Sequence, residues 1–410
     1  MRSSPGPSRT GSRKPFLSRL IPARVARRGV PDEASRLYLR LAYSLDRRSR
    51  KRDGRRLVPW DLDPARLPPL RSWTDIEEAY RRLAKLTRET PNGFRKEWLR
   101  DHLPTLRSLI GMLQGRVPAL PDQVRDLYSL PARSAKEEEL ESLRARIRRI
   151  LHVSRDDEVR GAVEAWERAH RVPSDGVLLT MDKFLREARH GSRRLFDLPR
   201  SEHVRLVPMH RSPNSGYCLY THDFQSTVKL NVDLPWTWPA LRDMASHEAY
   251  PGHHVHQTTR EWEYLQGDFP REAAVSMAAD PMGPVEEGLA ENAMLFIHWN
   301  RSKEDRLTLL LNRLRWGTEV NLAWMVHRDG PRKDLLHYAV QSGLVDPQQA
   351  VRDVNYAANR AWASYAFCYW YGTAMIRRKY EAMAGDPTFF DVLYWRPYTV
   401  RLLEKAFRRI

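Results

Sequence analysis

Apolar residues recur along most of this chain at intervals of three and four, the spacing that gathers them on one face of a helix. Ile76, Ala79, Tyr80 and Leu83 form one such stripe, opened by Thr74 and Glu77 as a capping box. A second helix starts from a box of Ser134 with Glu137 and carries Leu140, Leu143, Ile147 and Leu151. A third segment, 154–170, carries Val159, Val163 and Trp166. Such stripes are core faces and predict a helical scaffold. Between about 203 and 234 the period falls to two: 203–207, 217–220 and 227–232 alternate, with Pro213-Asn214-Ser215-Gly216 as a turn. That stretch predicts a small antiparallel sheet, which either offers an edge to an extended peptide or covers the core. Helical patterns return over 285–296, 303–328, 332–342 and 347–380. The last joint is marked by Gly343 as a stop, Asp346 as N-cap, Pro347 at the first position and Gln349 completing the box. The fold class predicted is mainly α with a small antiparallel β-sheet.

Composition sharpens this. A chain of 410 residues, 41% hydrophobic and 10% aromatic, can bury one large core or two ordinary ones. Its net charge of +18 is uneven: residues 1–60 hold 17 Lys/Arg against 4 Asp/Glu. Residues 1–30, rich in Arg, Ser, Pro and Gly, are expected to be disordered. The alternative is a basic arm for nucleic acid or acidic lipid, a reading without support from interleaved aromatics. The stretch 31–70, in which short helical patches alternate with a basic run at 47–56 and a proline-rich run at 58–70, reads as a solvated linker. The expected organisation is a basic disordered or linker segment over 1–60, a helical region over 61–195 and a catalytic region over 196–410. No signal-peptide run follows the early arginines, since 16–22 is short and interrupted. The most apolar stretch, 361–376, is too short to span a bilayer, contains three tyrosines and two tryptophans, and reads as a buried helix. Two cysteines, Cys218 and Cys368, make no disulfide framework, which suits a reducing compartment and a cytoplasmic location.

The candidate chemistry lies in Ser246-His247-Glu248-Ala249-Tyr250-Pro251-Gly252-His253-His254. Imidazole and carboxylate are ligands zinc prefers. The familiar zinc helix carries HExxH, whose histidines share a face at i and i+4. Here the next histidine is at i+6, where an ideal helix has turned about 600° and risen about 9 Å. His254, at i+7, recovers the angle but lies about 10 Å along the axis. The chain must therefore break, and Pro251 and Gly252 supply the break: the proline ring would strike the carbonyl of His247 in a helix, and glycine permits a looped-out turn. Either His253 or His254 then returns to the face of His247. The bland alternative is a Pro-Gly turn with surface histidines and no metal.

HEAYPGHH resembles the HEAxPGHH signature of the bacterial "domain of unknown function 885" family, which is similar to gluzincin metallopeptidases. Glu287-Gly288-Leu289-Ala290 and Tyr369-Trp370-Tyr371-Gly372 stand where that family has an EGWA-type segment and a tyrosine-glycine pair. The likeness covers roughly 190–380. It implies a gluzincin-like architecture and one Zn2+ per chain held by His247, His253 and Glu287, with His254 and Glu286 as competing ligands. Glu291, one turn beyond Glu287, shares its face and suits a hydrogen bond to a ligand imidazole. Glu248 is placed as general base toward a metal-activated water. Tyr369 and His327 match a family tyrosine and a downstream family histidine, either of which suits an oxyanion donor. The expected activity is hydrolysis of a peptide or related amide bond in short peptides. Alternatives are a metal-dependent tailoring enzyme of specialised metabolism and a basic nucleic-acid-binding protein with a vestigial metal site.

Overall fold

Arginines conceal an apolar face near the start of the chain. The computed structural model describes residues 31–62, 67–267, 270–359, 361–383 and 385–408. Expectations for 1–30 lie outside them. Within the stretch expected as linker stands a helix, α1 (Glu33–Asp53), capped by Asp32 accepting from the Ser35 N–H and closed by left-handed Gly54. Tyr38, Leu41, Ala42 and Leu45 are buried on one side, and the basic run forms its polar face and last turn. The linker reading therefore fails over 33–53, where the short helical patches are one continuous helix with a buried face.

Six helices follow: α2 (Trp73–Glu89), α3 (Phe94–Leu113), α4 (Leu120–Tyr128), α5 (Glu137–Leu151), α6 (Val159–Ala169) and α7 (Val177–Ser192). The predicted stripes are their buried faces, including Ile76, Ala79 and Leu83, then Leu140, Leu143 and Ile147, then Val159 and Val163. Two caps differ from expectation. The box on α2 is Ser72 with Asp75, two residues earlier than predicted, and α5 starts after Lys136 without a side-chain cap.

The sheet consists of β1 (Trp60–Asp61), β2 (His203–Met209), β3 (Gly216–Thr221), β4 (Gln225–Asn231) and β5 (Val275–Ser276), in the order β2-β4-β3-β1-β5. It is mixed, which corrects the antiparallel expectation. Only β3 and β4 form the expected kind of hairpin, with Tyr217 opposite Lys229; β2 runs parallel to β4, with Val204 opposite Ser226. The turn at 213–216 does not join adjacent strands. Residues 210–215 carry the chain across two strand spacings, about 10 Å, and β4 fills the slot between. β1 and β5 come from distant segments that carry too few residues to show a period.

The remaining helices are α8 (Trp238–Glu248), α9 (His253–Gln266), α10 (Gly283–Glu291), α11 (Ala293–Phe296), α12 (Lys303–His327), α13 (Arg332–Gly343), α14 (Pro347–Ala358), α15 (Ala366–Ala382), α16 (Thr388–Tyr394) and α17 (Val400–Phe407). Asp346 caps α14 as predicted, but the helix expected over 347–380 is two, α14 and α15, separated at 359–365. Among the described residues, no helix is long and apolar enough to cross a membrane. One apolar core runs from Tyr38 through Leu140, Val228 and Leu289 to Leu403. A smaller one around Leu322, Ala339 and Val354 joins α12, α13 and α14.

Two glycines set the crossing of α10 and α15. A Cβ on Gly288 of α10 would lie 2.4 Å from the Gly372 backbone of α15, and one on Gly372 would lie 2.1 Å from the Pro284 carbonyl oxygen. Both sit in the motifs singled out from the sequence, so their role is backbone approach. In an isolated helix Gly→Ala gains up to about 1 kcal/mol. Gly161→Ala in α6, where a Cβ meets nothing within 4 Å, should show that gain. Gly288→Ala should instead lose about 1–3 kcal/mol or more through overpacking. Urea unfolding of the two variants checks the opposite signs.

Candidate metal centre

The break predicted at Pro251-Gly252 is present. α8 ends at Glu248, and the chain loops out through Ala249–Gly252 before α9 begins at His253. The Gly252 N–H donates to the Ser246 carbonyl at 2.9 Å, and the Tyr250 N–H to that of Ala245 at 3.2 Å. Gly252 has a φ of −66°, so left-handed freedom is not what it contributes. It contributes space: a Cβ there would sit 1.8 Å from the His247 carbonyl oxygen.

The loop brings His253 back to His247, with ring centroids 4.9 Å apart. Glu287 of α10 meets both. Its Oε2 lies 3.4 Å from His247 Nε2 and 3.6 Å from His253 Nε2, and one ligand atom from each of the three residues falls within 4.8 Å of the others. Ligands placed tetrahedrally about 2.0–2.2 Å from zinc are about 3.3–3.6 Å apart. The two shorter spacings match that edge. Glu287 Oε2 and His253 Nδ1 are buried without a hydrogen-bond partner among the described residues, and the side chains of the triad keep 10%, 5% and 5% exposure. Two imidazoles and one carboxylate are the donor set of a catalytic zinc, so the residues fit that ion.

Neighbouring groups orient the triad. Glu291 Oε1 lies 3.2 Å from His247 Nδ1, which holds a proton on Nδ1 and turns Nε2 toward the centre. The other oxygen of Glu291 accepts from Trp316 Nε1 at 3.0 Å. The Tyr365 hydroxyl donates to Glu287 Oε1 at 2.5 Å, leaving Oε2 free toward the histidines. Burial opposes ionisation of Glu287, but His253 and His247 outweigh it and hold the carboxyl well below its ordinary range. Burial likewise works against a charged His247, and Glu287 and Glu291 outweigh it upward. Glu248 accepts from the Cys218 backbone N–H of β3, and burial raises its pKa although His247 and His253 pull it down.

Some sequence-predicted residues separate here. His254 is fully buried and turned away, with Nδ1 2.8 Å from Ser226 Oγ and Nε2 3.1 Å from Glu202 Oε2, so it is occupied elsewhere. Glu286 pairs with Arg260 at 2.7 Å and is not in the triad. Tyr369 is near the centre: its ring stacks on Trp316 at 3.9 Å and lies 6.3 Å from that of His247. His327 ends α12, eleven residues and about 16 Å along the helix axis past Trp316.

Tyr365, Trp316 and Trp60 were not foreseen. Tyr365 had a signal, standing four residues before Tyr369. Trp316 and Trp60 had none, because each arrives from a distant segment. Trp60 of β1 lies 5.1 Å from the His253 ring, and its Nε1 donates to the Cys218 carbonyl at 3.4 Å. With both backbone groups of Cys218 taken and β3 interior to the sheet, that residue offers no free edge to a peptide.

The fold has relatives among solved structures. A "putative lipoprotein" from Colwellia psychrerythraea aligns with a TM-score of 0.58 at 14% identity, over 82% of this chain and 67% of that one. A "putative lipoprotein of unknown function" from Shewanella oneidensis aligns with a TM-score of 0.55 at 10% identity, over 82% and 71%. At these identities the likeness is one of fold. No protein-family model matches the chain, and no curated protein matches it.

The adjacent glutamates of α10 should separate experimentally. Glu287→Ala should fold and bind no zinc. Glu286→Ala, which leaves Arg260 buried and unpaired, should lose about 3–5 kcal/mol of stability while its folded fraction still binds zinc. Elemental analysis paired with urea unfolding distinguishes them.

Proposed function

We propose that this chain is a zinc-dependent hydrolase of peptide or related amide bonds, carrying one Zn2+ held by His247, His253 and Glu287. The observation that carries the reading is the pair of tetrahedral-edge spacings, 3.4 and 3.6 Å, from one glutamate oxygen to two imidazole nitrogens. Kinship with the "domain of unknown function 885" proteins and a gluzincin-like architecture belong to the same proposal. The break, the EG segment and the tyrosine-glycine pair, which the resemblance rests on, are adjacent in space.

When bound, the ion supplies Lewis acidity and a water acidified toward neutral pH. Glu248 takes the proton of the attacking water and returns it to the leaving amine, and burial moves its carboxyl upward, in the direction a proton shuttle needs. Tyr365 holds Glu287 in one orientation. Tyr369 is the donor to the developing oxyanion: its hydroxyl makes no hydrogen bond among the described residues, and burial, then the charge of Glu287, keeps it protonated. Low exposure of the triad favours short peptides over folded chains.

Two measurements test the proposal together. Purified protein should hold about one zinc per chain, removable by 1,10-phenanthroline with loss of peptide cleavage and restored by added zinc. Glu248→Gln should keep the zinc and lose about 10²–10⁴-fold in kcat. Cleavage that survives Glu248→Gln would remove the assigned base. A zinc-loaded wild type inert on a broad short-peptide library would remove peptide hydrolysis and favour chemistry on a specialised metabolite.

A further inference from the structure

Behind the centre lies a second buried polar cluster, built around a carboxylate that the reaction does not use. Glu202 stands just before β2, and its side chain is fully buried. Its Oε2 accepts from the Tyr250 hydroxyl at 2.6 Å and lies 3.1 Å from His254 Nε2. Its Oε1 accepts from Arg189 Nε at 2.6 Å and Arg193 Nη2 at 2.9 Å, both on or just past α7. His254 closes the cluster onto the sheet, its Nδ1 lying 2.8 Å from Ser226 Oγ of β4. For a neutral imidazole this requires Nε2–H donating to Glu202 and Nδ1 accepting from the serine. Burial lowers the His254 pKa and so keeps it neutral.

Two of the residues Glu202 grips lie within and just past the loop that the metal site depends on. Tyr250 precedes Pro251-Gly252, and His254 follows His253. Neighbouring helical side chains point about 100° apart. Fixing His254 on Glu202 therefore fixes the direction of His253. Fixing Tyr250 on the same oxygen closes the loop from its other end. Tyr394 adds a third hold, its hydroxyl donating to the Pro251 carbonyl at 2.9 Å.

We propose that Glu202 is a positioning residue of the metal centre: by holding Tyr250 and His254 together, it selects the loop conformation in which His253 faces His247 and Glu287. This rests on the zinc reading above. Glu202 sees the ion only through the loop, so its effect appears in metal affinity and geometry.

A comparison within α9 separates positioning from general support. Glu261, two turns beyond His254, is also a buried carboxylate, accepting from the Tyr220 hydroxyl at 2.6 Å and from the Asp223 and Phe224 N–H groups at 3.0 and 2.9 Å. It holds the β3–β4 turn and does not touch the loop. Zinc dissociation constants should be measured by chelator competition for wild type, Glu202→Gln, Tyr250→Phe and Glu261→Gln. The visible bands of the cobalt-substituted proteins and the urea unfolding of the zinc-free proteins complete the set. Glu202→Gln should weaken zinc binding about 10- to 100-fold, the range for outer partners of metal ligands, and alter the cobalt spectrum. Tyr250→Phe, which keeps the ring, should weaken it about fivefold, the worth of one hydrogen bond. Glu261→Gln should lower stability and leave affinity and spectrum unchanged. Unchanged affinity in both loop variants would overturn the proposal, as would an equal loss in Glu261→Gln. If Glu202→Gln does not fold, Tyr250→Phe decides. Failure of the wild type to bind zinc is a separate result: it removes the centre itself, and the positioning role with it.

Discussion

The centre depends on one close approach, that of Gly252 to the carbonyl of His247. A Cβ at position 252 would lie 1.8 Å from that oxygen, a distance no side chain tolerates. Without the approach, the six-residue spacing of His247 and His253 would leave them about 9 Å apart along a helix and on different faces. With it, two helices meet almost end to end and present one imidazole each to the same point. Everything carried by α9 inherits its place from this junction. His254 reaches Glu202, Arg260 reaches Glu286, and Glu261 reaches the β3–β4 turn.

That arrangement explains which parts of the site were legible. His247 and one of the pair His253 and His254 were, because a spacing incompatible with a helix coincides with Pro251 and Gly252, the residues that break one. Glu291 was, because i and i+4 share a helical face. The choice between His253 and His254 was not, since both are buried and only Glu202 and Ser226, both on distant segments, show where His254 turns. Glu286 and Glu287 pose the same problem: neighbours on one helix, told apart only by Arg260 on another. The mainly helical class was readable from apolar stripes. The strand order was not, because β1 and β5 are two-residue strands with no period of their own and β4 inserts between β2 and β3. The helix α1 was missed where arginines crowd its exposed face.

The glycine pair at the crossing of α10 and α15 ties fold to site. Gly288 follows Glu287 directly, and Gly372 lies one turn beyond Tyr369. Bringing the two backbones into contact sets the distance between the helix that carries Glu287 and the helix that carries Tyr369, with Tyr365 just before its start. The 2.5 Å hydrogen bond from Tyr365 to Glu287 is a consequence of that spacing. Likeness of fold to the Colwellia and Shewanella proteins cannot supply such detail, since function resides in the site and not in the architecture.

The placement of the arginines bears on what the site holds. Several buried carboxylates elsewhere in this chain are neutralised by guanidinium groups, Glu202 by Arg189 and Arg193, Glu272 by Arg95, Glu286 by Arg260, Asp305 by Arg242 and Asp101 by Arg401, while Glu261 rests on neutral donors alone. Glu248, Glu287 and Glu291 are clustered and largely buried, and among the described residues no Lys or Arg forms an ion pair with them. A protein of net charge +18 has cations to spare, so their absence here is local. Like charges gathered away from water are costly unless a positive charge joins them. A neutral imidazole cannot supply that charge, and a protonated one loses the lone pair that makes it a ligand. A divalent cation satisfies both requirements, offsetting the carboxylates while accepting the imidazole nitrogens. The electrostatics of the pocket and the spacing of its candidate ligand atoms thus both support the proposed Zn2+.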